Sequence, residues 1–112
     1  MSNSSINYGS EEKKGWFIWQ LGGRLDRLTA GEALEKGEEL LSGQAKFAMD
    51  LSRLEYLSSA GIRVLLKLAK VAEEKGIAFA LISSGGMVRE VLETSRLDMF
   101  VDICSSAEEL DA

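Results

Sequence analysis

Hydrophobic residues occur in short runs whose spacing alternates between that of strands and that of helices. The runs with the length and apolar content of interior strands cover residues 16–21, 46–51, 77–82 and 100–104. The stretches with apolar residues every three or four positions cover residues 29–43, 60–75 and 87–95. This alternation is typical of a sheet whose strands are joined by helices.

Strands that alternate with helices predict right-handed crossovers and a largely parallel sheet. A short strand over 6–10 precedes the first run, and the two are expected to form an antiparallel hairpin. A serine before an acidic turn at 106–109 indicates a short terminal helix. The pattern therefore predicts a single α/β domain over 6–112, with about five strands and three to four helices, after a flexible terminus at 1–5.

Signals for both ends of the first helix are present in the sequence. Thr29 and Glu32 have the spacing of a capping box, in which the threonine hydroxyl accepts a hydrogen bond from a first-turn N–H and the glutamate reaches back to the cap. Gly43 is placed to end the helix. We therefore expect a capped helix between these residues.

The helix over 60–75 carries three stripes of side chains when its residues are spaced at about 100°. The core-facing stripe consists of Ile62, Leu65, Leu66, Ala69 and Ala72. The basic stripe consists of Arg63, Lys67 and Lys70, and a second apolar stripe consists of Val64, Leu68 and Val71. We predict that Ile62, Leu66 and Ala69 are buried against the sheet and that the basic stripe faces solvent. The second apolar stripe either docks a partner or packs under a neighbouring helix.

Composition and charge exclude several classes of function. Thirteen basic against eighteen acidic residues give a formal net charge of -5, whereas nucleic-acid-binding proteins carry clustered positive charge. There is no histidine and one cysteine, Cys104, which excludes histidine-based catalysis, an internal disulfide and the common zinc sites. The chain has no run long enough to span a membrane and no signal-peptide pattern at its start. We therefore expect a cytoplasmic protein without metal, cofactor, membrane or nucleic acid.

The segment from Asp50 to Gly61 leads from a strand into the clearest helix and places Ser58 and Ser59 at the junction. A helix N-terminus has unpaired N–H groups and the positive end of the helix dipole, so it suits an anionic group. Alternatively, Ser58 only caps the helix. The loop at 83–86, Ser-Ser-Gly-Gly, either cradles a phosphate or simply begins the third helix.

Asp50-Leu-Ser-x-Leu-x-Tyr-Leu-x-Ser-x-Gly-Ile62 resembles the central signature of the STAS domain family, the anti-sigma factor antagonists. Gly23-Arg-Leu-Asp26 followed by Thr29-Ala resembles its entry to the first helix, and Val88-Arg-Glu-Val-Leu-Glu with Leu97-Asp98-x-Phe100 its third helix and exit. Together these motifs cover nearly the whole chain in the order and spacing of the family.

The resemblance implies a phosphorylation site. In the family the signature is usually Asp-Ser-(Ser/Thr)-Gly, and alignment on Gly61 makes Ser59 the acceptor of a partner kinase's phosphate. Ser58 then replaces the aspartate, and Ala60 replaces the second hydroxyl residue. Arg96 stands where the family often has a glycine at the end of the third helix. Asp26 matches an aspartate near the family's phosphorylation site, so it is either a partner-binding residue or a solvated turn acid.

The function implied by the resemblance is that of a switchable interaction module and not of an enzyme. The unmodified domain would bind a serine-kinase anti-sigma factor and free a sigma factor, and phosphorylation would end the binding. A phosphatase is a further partner that the resemblance allows. The partner-binding residues expected on this basis are Asp26, Ser58, Ser59, Gly61, Arg63, Val64, Lys67 and Leu68.

Two alternative functions remain open from the sequence. A STAS domain without phosphorylation could serve as a scaffold in a larger signalling assembly, which is consistent with the serine at position 58. Weak nucleotide binding could use the loops at 58–61 and 83–86, although the lysine of a phosphate-binding loop is missing.

Overall fold

A five-stranded sheet forms the centre of the protein, and the computed structural model describes residues 5–111. The strands are β1 (Ile6–Lys13), β2 (Trp16–Leu25), β3 (Lys46–Leu57), β4 (Ala78–Ile82) and β5 (Asp102–Cys104). They lie side by side in chain order. β1 pairs antiparallel with β2, and the other three pairings are parallel. This mixed sheet confirms the predicted parallel architecture with an N-terminal hairpin.

Three α-helices join the parallel strands, as predicted. They are α1 (Ala30–Leu41), α2 (Ser59–Lys75) and α3 (Gly86–Thr94), with 3₁₀ helices at Leu97–Met99 and Ala107–Glu109. The predicted terminal helix is thus a short 3₁₀ helix. Of the residues expected to be flexible, 1–4 lie outside the described part, and the Ser5 carbonyl accepts a hydrogen bond from the Arg24 N–H at 2.8 Å. No helix within residues 5–111 is long and apolar enough to cross a membrane.

Strand β3 extends to Leu57, six residues beyond the predicted end at Leu51. Its register with β2 shifts twice, each time with one extra residue in β3. Each such bulge inserts a residue, so the buried side chains Leu51, Leu54 and Leu57 are spaced by three instead of two. Because of this spacing, the alternation of buried and exposed residues that is typical of a strand does not predict the segment after Leu51.

The two faces of the sheet carry cores of different size. The larger core lies between one face and the helices, and it contains Trp19, Phe47 and Leu65. The smaller core on the other face contains Trp16 and Ile18, and Leu110 packs against it from the C-terminal segment. The Trp16 Nε1–H donates to the Asp111 carbonyl at 2.5 Å. All three helices bury their apolar faces in the larger core. Helices α2 and α3 begin after the ends of the neighbouring strands β3 and β4.

Helix α2 buries a face that matches the predicted one only in part: Leu65 and Ala72 are buried as predicted, but the other predicted members are not. Its buried residues are Gly61, Val64, Leu65, Leu68 and Ala72, whereas Leu66 is 37% exposed. Ile62 and Ala69 are only partly buried. The prediction that Ile62, Leu66 and Ala69 form the buried stripe is therefore wrong. The predicted exposure of the basic stripe, Arg63, Lys67 and Lys70, is confirmed.

The close approach of α1 explains this rotation of α2. A Cβ on Gly37 of α1 would lie 2.7 Å from Leu68 Cδ1 and 3.0 Å from Trp19 Cζ3. The glycine therefore lets Leu68 pack beneath α1, and the buried direction of α2 turns toward its neighbour. Val64 and Leu68 are 4% and 0% exposed, so they pack under a neighbouring helix and cannot form a docking surface.

The predicted capping box at the start of α1 is wrong. Thr29 is the N-cap residue, but its hydroxyl makes no cap hydrogen bond. Instead, Thr29 Oγ1 accepts from the Asp26 N–H at 3.0 Å and donates to the Arg24 carbonyl at 2.9 Å. Glu32 accepts a hydrogen bond from the Tyr8 hydroxyl at 2.8 Å. The Thr29 side chain thus joins the helix start to the backbone of Arg24 and Asp26. The Glu32 side chain joins the helix to the Tyr8 hydroxyl of β1.

Replacing Arg96 with glycine is expected to raise the free energy of unfolding by roughly 0.5–1 kcal/mol. Arg96 has φ 63° and ψ 27°, a left-handed conformation that costs a non-glycine residue roughly 1–2 kcal/mol. The greater freedom of glycine in the unfolded chain offsets part of this gain, about 0.5–1 kcal/mol. Urea unfolding measures the change. The control, Arg96→Ala, keeps a Cβ and should bring no gain, and equal stability of the two variants would contradict the prediction.

Candidate functional site

The junction between β3 and α2 presents two serines in different settings. Ser58 is the N-cap residue of α2, and its Oγ accepts from the Gly61 N–H at 3.4 Å, a long and therefore weak hydrogen bond. Ser59 is the first residue of the helix and is exposed. The two adjacent hydroxyls thus differ: one caps the helix, and the other faces solvent.

The end of β2, where the next loop begins, lies directly against the start of α2. The Ser58 N–H donates to the Leu25 carbonyl at 3.0 Å. A Cβ on Gly61 would lie 2.7 Å from the Leu25 carbonyl oxygen and 2.7 Å from Leu57 Cδ1. Only a glycine fits this approach without displacing backbone. Gly61 is therefore buried and structural, which corrects its assignment as a partner-binding residue.

Asp26 holds this loop in place. The residue is 8% exposed, which corrects the alternative of a solvated turn acid. Its Oδ1 accepts from the Leu28 N–H at 3.0 Å, and its Oδ2 lies 3.5 Å from Arg24 Nε. The Arg24 guanidinium also stacks over the Tyr56 ring, 4.3 Å from the centroid. The carboxylate thus links the loop to β2 and β3 and positions it beside Ser58.

An exposed surface surrounds Ser59. Arg63 and Lys67 are exposed along α2, and Ile62 is partly buried between them and the core. Leu28, in the turn between β2 and α1, is 57% exposed. Leu28 was not among the residues predicted from sequence, although an apolar residue in a polar loop was a visible signal. Ile62 was predicted to lie in the core, and no local signal separates the two apolar stripes of α2.

The loop at 83–86 begins α3 with glycines in unusual conformations. Gly85 and Gly86 have φ of 135° and 75°, and Gly85 is the N-cap residue without a side-chain cap. Arg89 Nη1 donates to the Ser83 carbonyl at 2.9 Å, while the buried Ser83 Oγ has no hydrogen-bond partner in the described part of the chain. The loop begins the helix, as one interpretation of the sequence expected, and nucleotide binding there stays a prediction.

Other reactive groups offer little chemistry. Burial raises the pKa of the Cys104 thiol, so the thiol is protonated at neutral pH. Its Sγ lies 3.6 Å from the Leu81 carbonyl. Among residues 5–111, no group of His, Cys, Asp and Glu could hold a metal ion.

Comparison with known families and proteins identifies the domain. The family model described as "Mlab, STAS domain" matches residues 18–102. The chain belongs to the STAS domain family. Anti-sigma-F factor antagonist RsfB of Mycobacterium tuberculosis is 30% identical over 98 residues, which are 84% of this chain and 77% of that protein. BtrV of Bordetella bronchiseptica is 34% identical over 74 residues, 66% of this chain and 64% of that protein, so the match spans under two thirds of its length.

Solved structures share the fold of this STAS domain. An anti-sigma factor antagonist from Mycobacterium paratuberculosis superposes with a TM-score of 0.86 at 19% identity, covering 96% of this chain and 92% of that one. Unphosphorylated SpoIIAA superposes with a TM-score of 0.73 at 19% identity, covering 92% and 91%. SpoIIAA of Bacillus in its phosphorylated form gives 0.67 at 18% identity, covering 92% and 95%. At these identities the likeness concerns the fold.

Replacing Gly61 with alanine is expected to lower the free energy of unfolding by roughly 1–3 kcal/mol. The added methyl would meet the Leu25 carbonyl at 2.7 Å, and a backbone atom cannot move aside as a flexible side chain can. Thermal or urea unfolding measures the loss. Gly31→Ala is the matched control, because a Cβ there meets nothing within 4 Å and alanine favours the helix. A Gly61→Ala protein as stable as the parent would contradict the close approach.

Proposed function

We propose that this STAS domain is an anti-sigma factor antagonist that binds a serine-kinase anti-sigma factor and is switched off by phosphorylation of Ser59. The observation that carries the proposal is the exposed Ser59 hydroxyl at the first position of α2, where the family has its phosphate acceptor. The name of RsfB, an anti-sigma-F factor antagonist, supports the class of partner. SpoIIAA, which shares the fold, is known in phosphorylated and unphosphorylated forms.

A phosphate on Ser59 is compatible with the folded domain. The first N–H groups of α2 have no acceptor within the helix, and the helix dipole favours negative charge at this end. Arg63 is exposed one turn further on, at the i+4 position, within reach of an anionic side chain. The modified residue therefore gains favourable local interactions and does not need to disturb the core.

The same phosphate is unfavourable for a complex. A phosphoserine carries roughly -1.5 to -2 charges at neutral pH. Within an interface this charge must be desolvated or must face a repelling group, and neither cost arises in the free domain. The group can thus leave the fold intact and still end the binding.

The docking surface that we propose consists of Leu28, Ser59, Ile62, Arg63 and Lys67. Leu28 and Ile62 supply apolar contact area beside the acceptor, and the two basic residues favour a partner with acidic groups opposite them. Ser58 and Asp26 act behind this surface by holding the helix start and the loop. We infer that the domain works by binding and not by catalysis, in the cytoplasm, and that a phosphatase restores the unmodified form.

A non-switching scaffold is the second candidate function. The residue beside the acceptor is Ser58, whose hydroxyl caps α2, and the family's aspartate is missing from that position. A carboxylate there could orient the acceptor or help a kinase to recognise it. Without it, a STAS domain could keep its docking surface and lack the switch.

The Ser59→Asp variant is expected to fold normally and to bind the anti-sigma factor about thirtyfold more weakly. The aspartate carries part of the phosphate's charge into the interface, at a cost of about 2 kcal/mol. Ser59→Ala should keep the affinity of the unmodified protein. Titration calorimetry with a serine-kinase anti-sigma factor from the same genome measures both. Ser10→Asp adds the same charge at an exposed position of β1 and is the matched control, and equal weakening by both aspartates would contradict the proposal.

Mass spectrometry after incubation with that kinase and ATP is expected to find one phosphate, on Ser59, and none in Ser59→Ala. Ser58→Asp, which restores the family pattern, should speed the reaction if the missing carboxylate limits it. Phosphate on Ser58 instead would mean that the assignment of the acceptor is wrong by one residue. If neither serine is modified while the kinase still binds, the switch is refuted and the scaffold function remains.

A further inference from the structure

The loop between β4 and α3 contains a buried hydroxyl without a hydrogen bond. Ser83 is 1% exposed, and its Oγ is the one buried side-chain oxygen or nitrogen in residues 5–111 that has no partner. Buried hydroxyls are nearly always hydrogen-bonded, because an unpaired one costs free energy. Contacts within the described part of the chain therefore do not account for this serine.

The alternation of β4 places the Ser83 hydroxyl beneath the start of α3. Leu81 belongs to the larger core and Ile82 to the smaller one, so consecutive side chains point to opposite faces of the sheet. The Ser83 N–H donates to the Cys104 carbonyl at 2.9 Å, which continues the pairing with β5 by one residue. Ser83 thus points to the face of Leu81, on which α3 buries Val88.

The first turn of α3 offers further donors at the same place. Its first N–H groups have no acceptor within the helix, and no side chain among residues 5–111 caps them. Gly85 and Gly86 are exposed, and a Cβ on either would meet nothing within 4 Å, so this end of the helix is open to solvent. Arg89 Nη1 donates to the Ser83 carbonyl at 2.9 Å and so ties the first turn to the buried serine. Free N–H donors and the positive end of the helix dipole favour an anion.

The nearest carboxylates leave this helix start unoccupied. The first turn of α3 has no acidic residue, Glu90 is exposed one turn further on, and Glu93 lies 3.3 Å from Arg89 Nε. Asp102 pairs with Ala80, three residues before Ser83 and thus about 10 Å away along the strand. Asp98 lines a pocket with Asp102 and Glu93, beside the later turns of the helix. Two further carboxylates lie on the opposite face of the sheet with the smaller core: Asp50 and Glu109.

We propose that the start of α3 binds a phosphate-type oxyanion, held by the first N–H groups of the helix and by the Ser83 hydroxyl. Because Ser83 Oγ is closed to solvent, the loop must open slightly for the hydroxyl to donate to the ion. Gly85 and Gly86, with φ of 135° and 75°, give the backbone the freedom for this movement.

The proposed ion is bound weakly and apart from the docking surface. The net charge of -5 opposes the approach of any anion, so we expect a dissociation constant on the order of millimolar. The site shares no residue with the docking surface around Ser59. This inference therefore stands independently of the proposed switch.

An NMR titration with inorganic phosphate tests the site, with sodium chloride at equal ionic strength as the reference. The amide signals of residues 85–88 should shift and saturate in phosphate but not in chloride. Ser83→Ala should weaken binding about tenfold, because it removes a hydrogen bond to a charged group. This variant should fold, since the hydroxyl has no partner to lose, and circular dichroism checks the fold. Ser84→Ala is the matched control, because it removes an exposed hydroxyl from the same loop and should leave the affinity unchanged.

A free ion and the phosphate group of a larger molecule share this chemistry, so glycerol 3-phosphate is titrated in parallel. Tighter binding of the ester would identify a phosphate group on a larger molecule, whereas equal or weaker binding would identify the free ion. Amide signals that do not saturate at tens of millimolar phosphate would overturn the proposal. Shifts confined to the start of α2 would overturn it as well, and so would a folded Ser83→Ala protein that binds phosphate as tightly as the parent.

Discussion

The close contact between the Leu25 carbonyl and the start of α2 is the constraint on which the candidate site depends. The Ser58 N–H donates to this carbonyl at 3.0 Å, and Gly61 leaves room for it where a Cβ would lie at 2.7 Å. The contact fixes where the helix begins, and so it fixes that Ser59 is the first exposed residue. Asp26 holds the same loop from the other side through the Leu28 N–H and Arg24. Asp26 and Gly61, two of the residues expected to bind a partner, are therefore buried behind the surface.

A second close approach decides what the rest of α2 presents to a partner. Gly37 lets α1 come close enough for Leu68 and Trp19 to fill the space that a side chain would occupy. The helix is thereby rotated so that Val64 and Leu68 are buried and Ile62 and Leu66 reach the surface. The exposed side of α2 thus combines basic residues with Ile62 and Leu66, and the acidic Glu73 and Glu74 follow near its end. Its N-terminal half adjoins Ser59, and its C-terminal half lines a groove together with residues 98–102.

This division gives one helix two surfaces of different chemistry. At its start, unpaired N–H groups and the helix dipole favour an anionic group. At its far end, charged and apolar residues together line an open groove.

The order of strands and helices, the family and the place of Ser59 at a helix start could be predicted from sequence, because periodicity, caps and motifs are local properties of the chain. The buried face of α2 could not, since both of its apolar stripes fit a helix and only the neighbouring α1 selects between them. The Thr29 hydroxyl and the Asp26 carboxylate likewise have partners that depend on how β2 meets the loop. The groove joins α2 to residues 98–102, which are distant in sequence. Such features depend on packing between separate elements, and only the tertiary structure decides them.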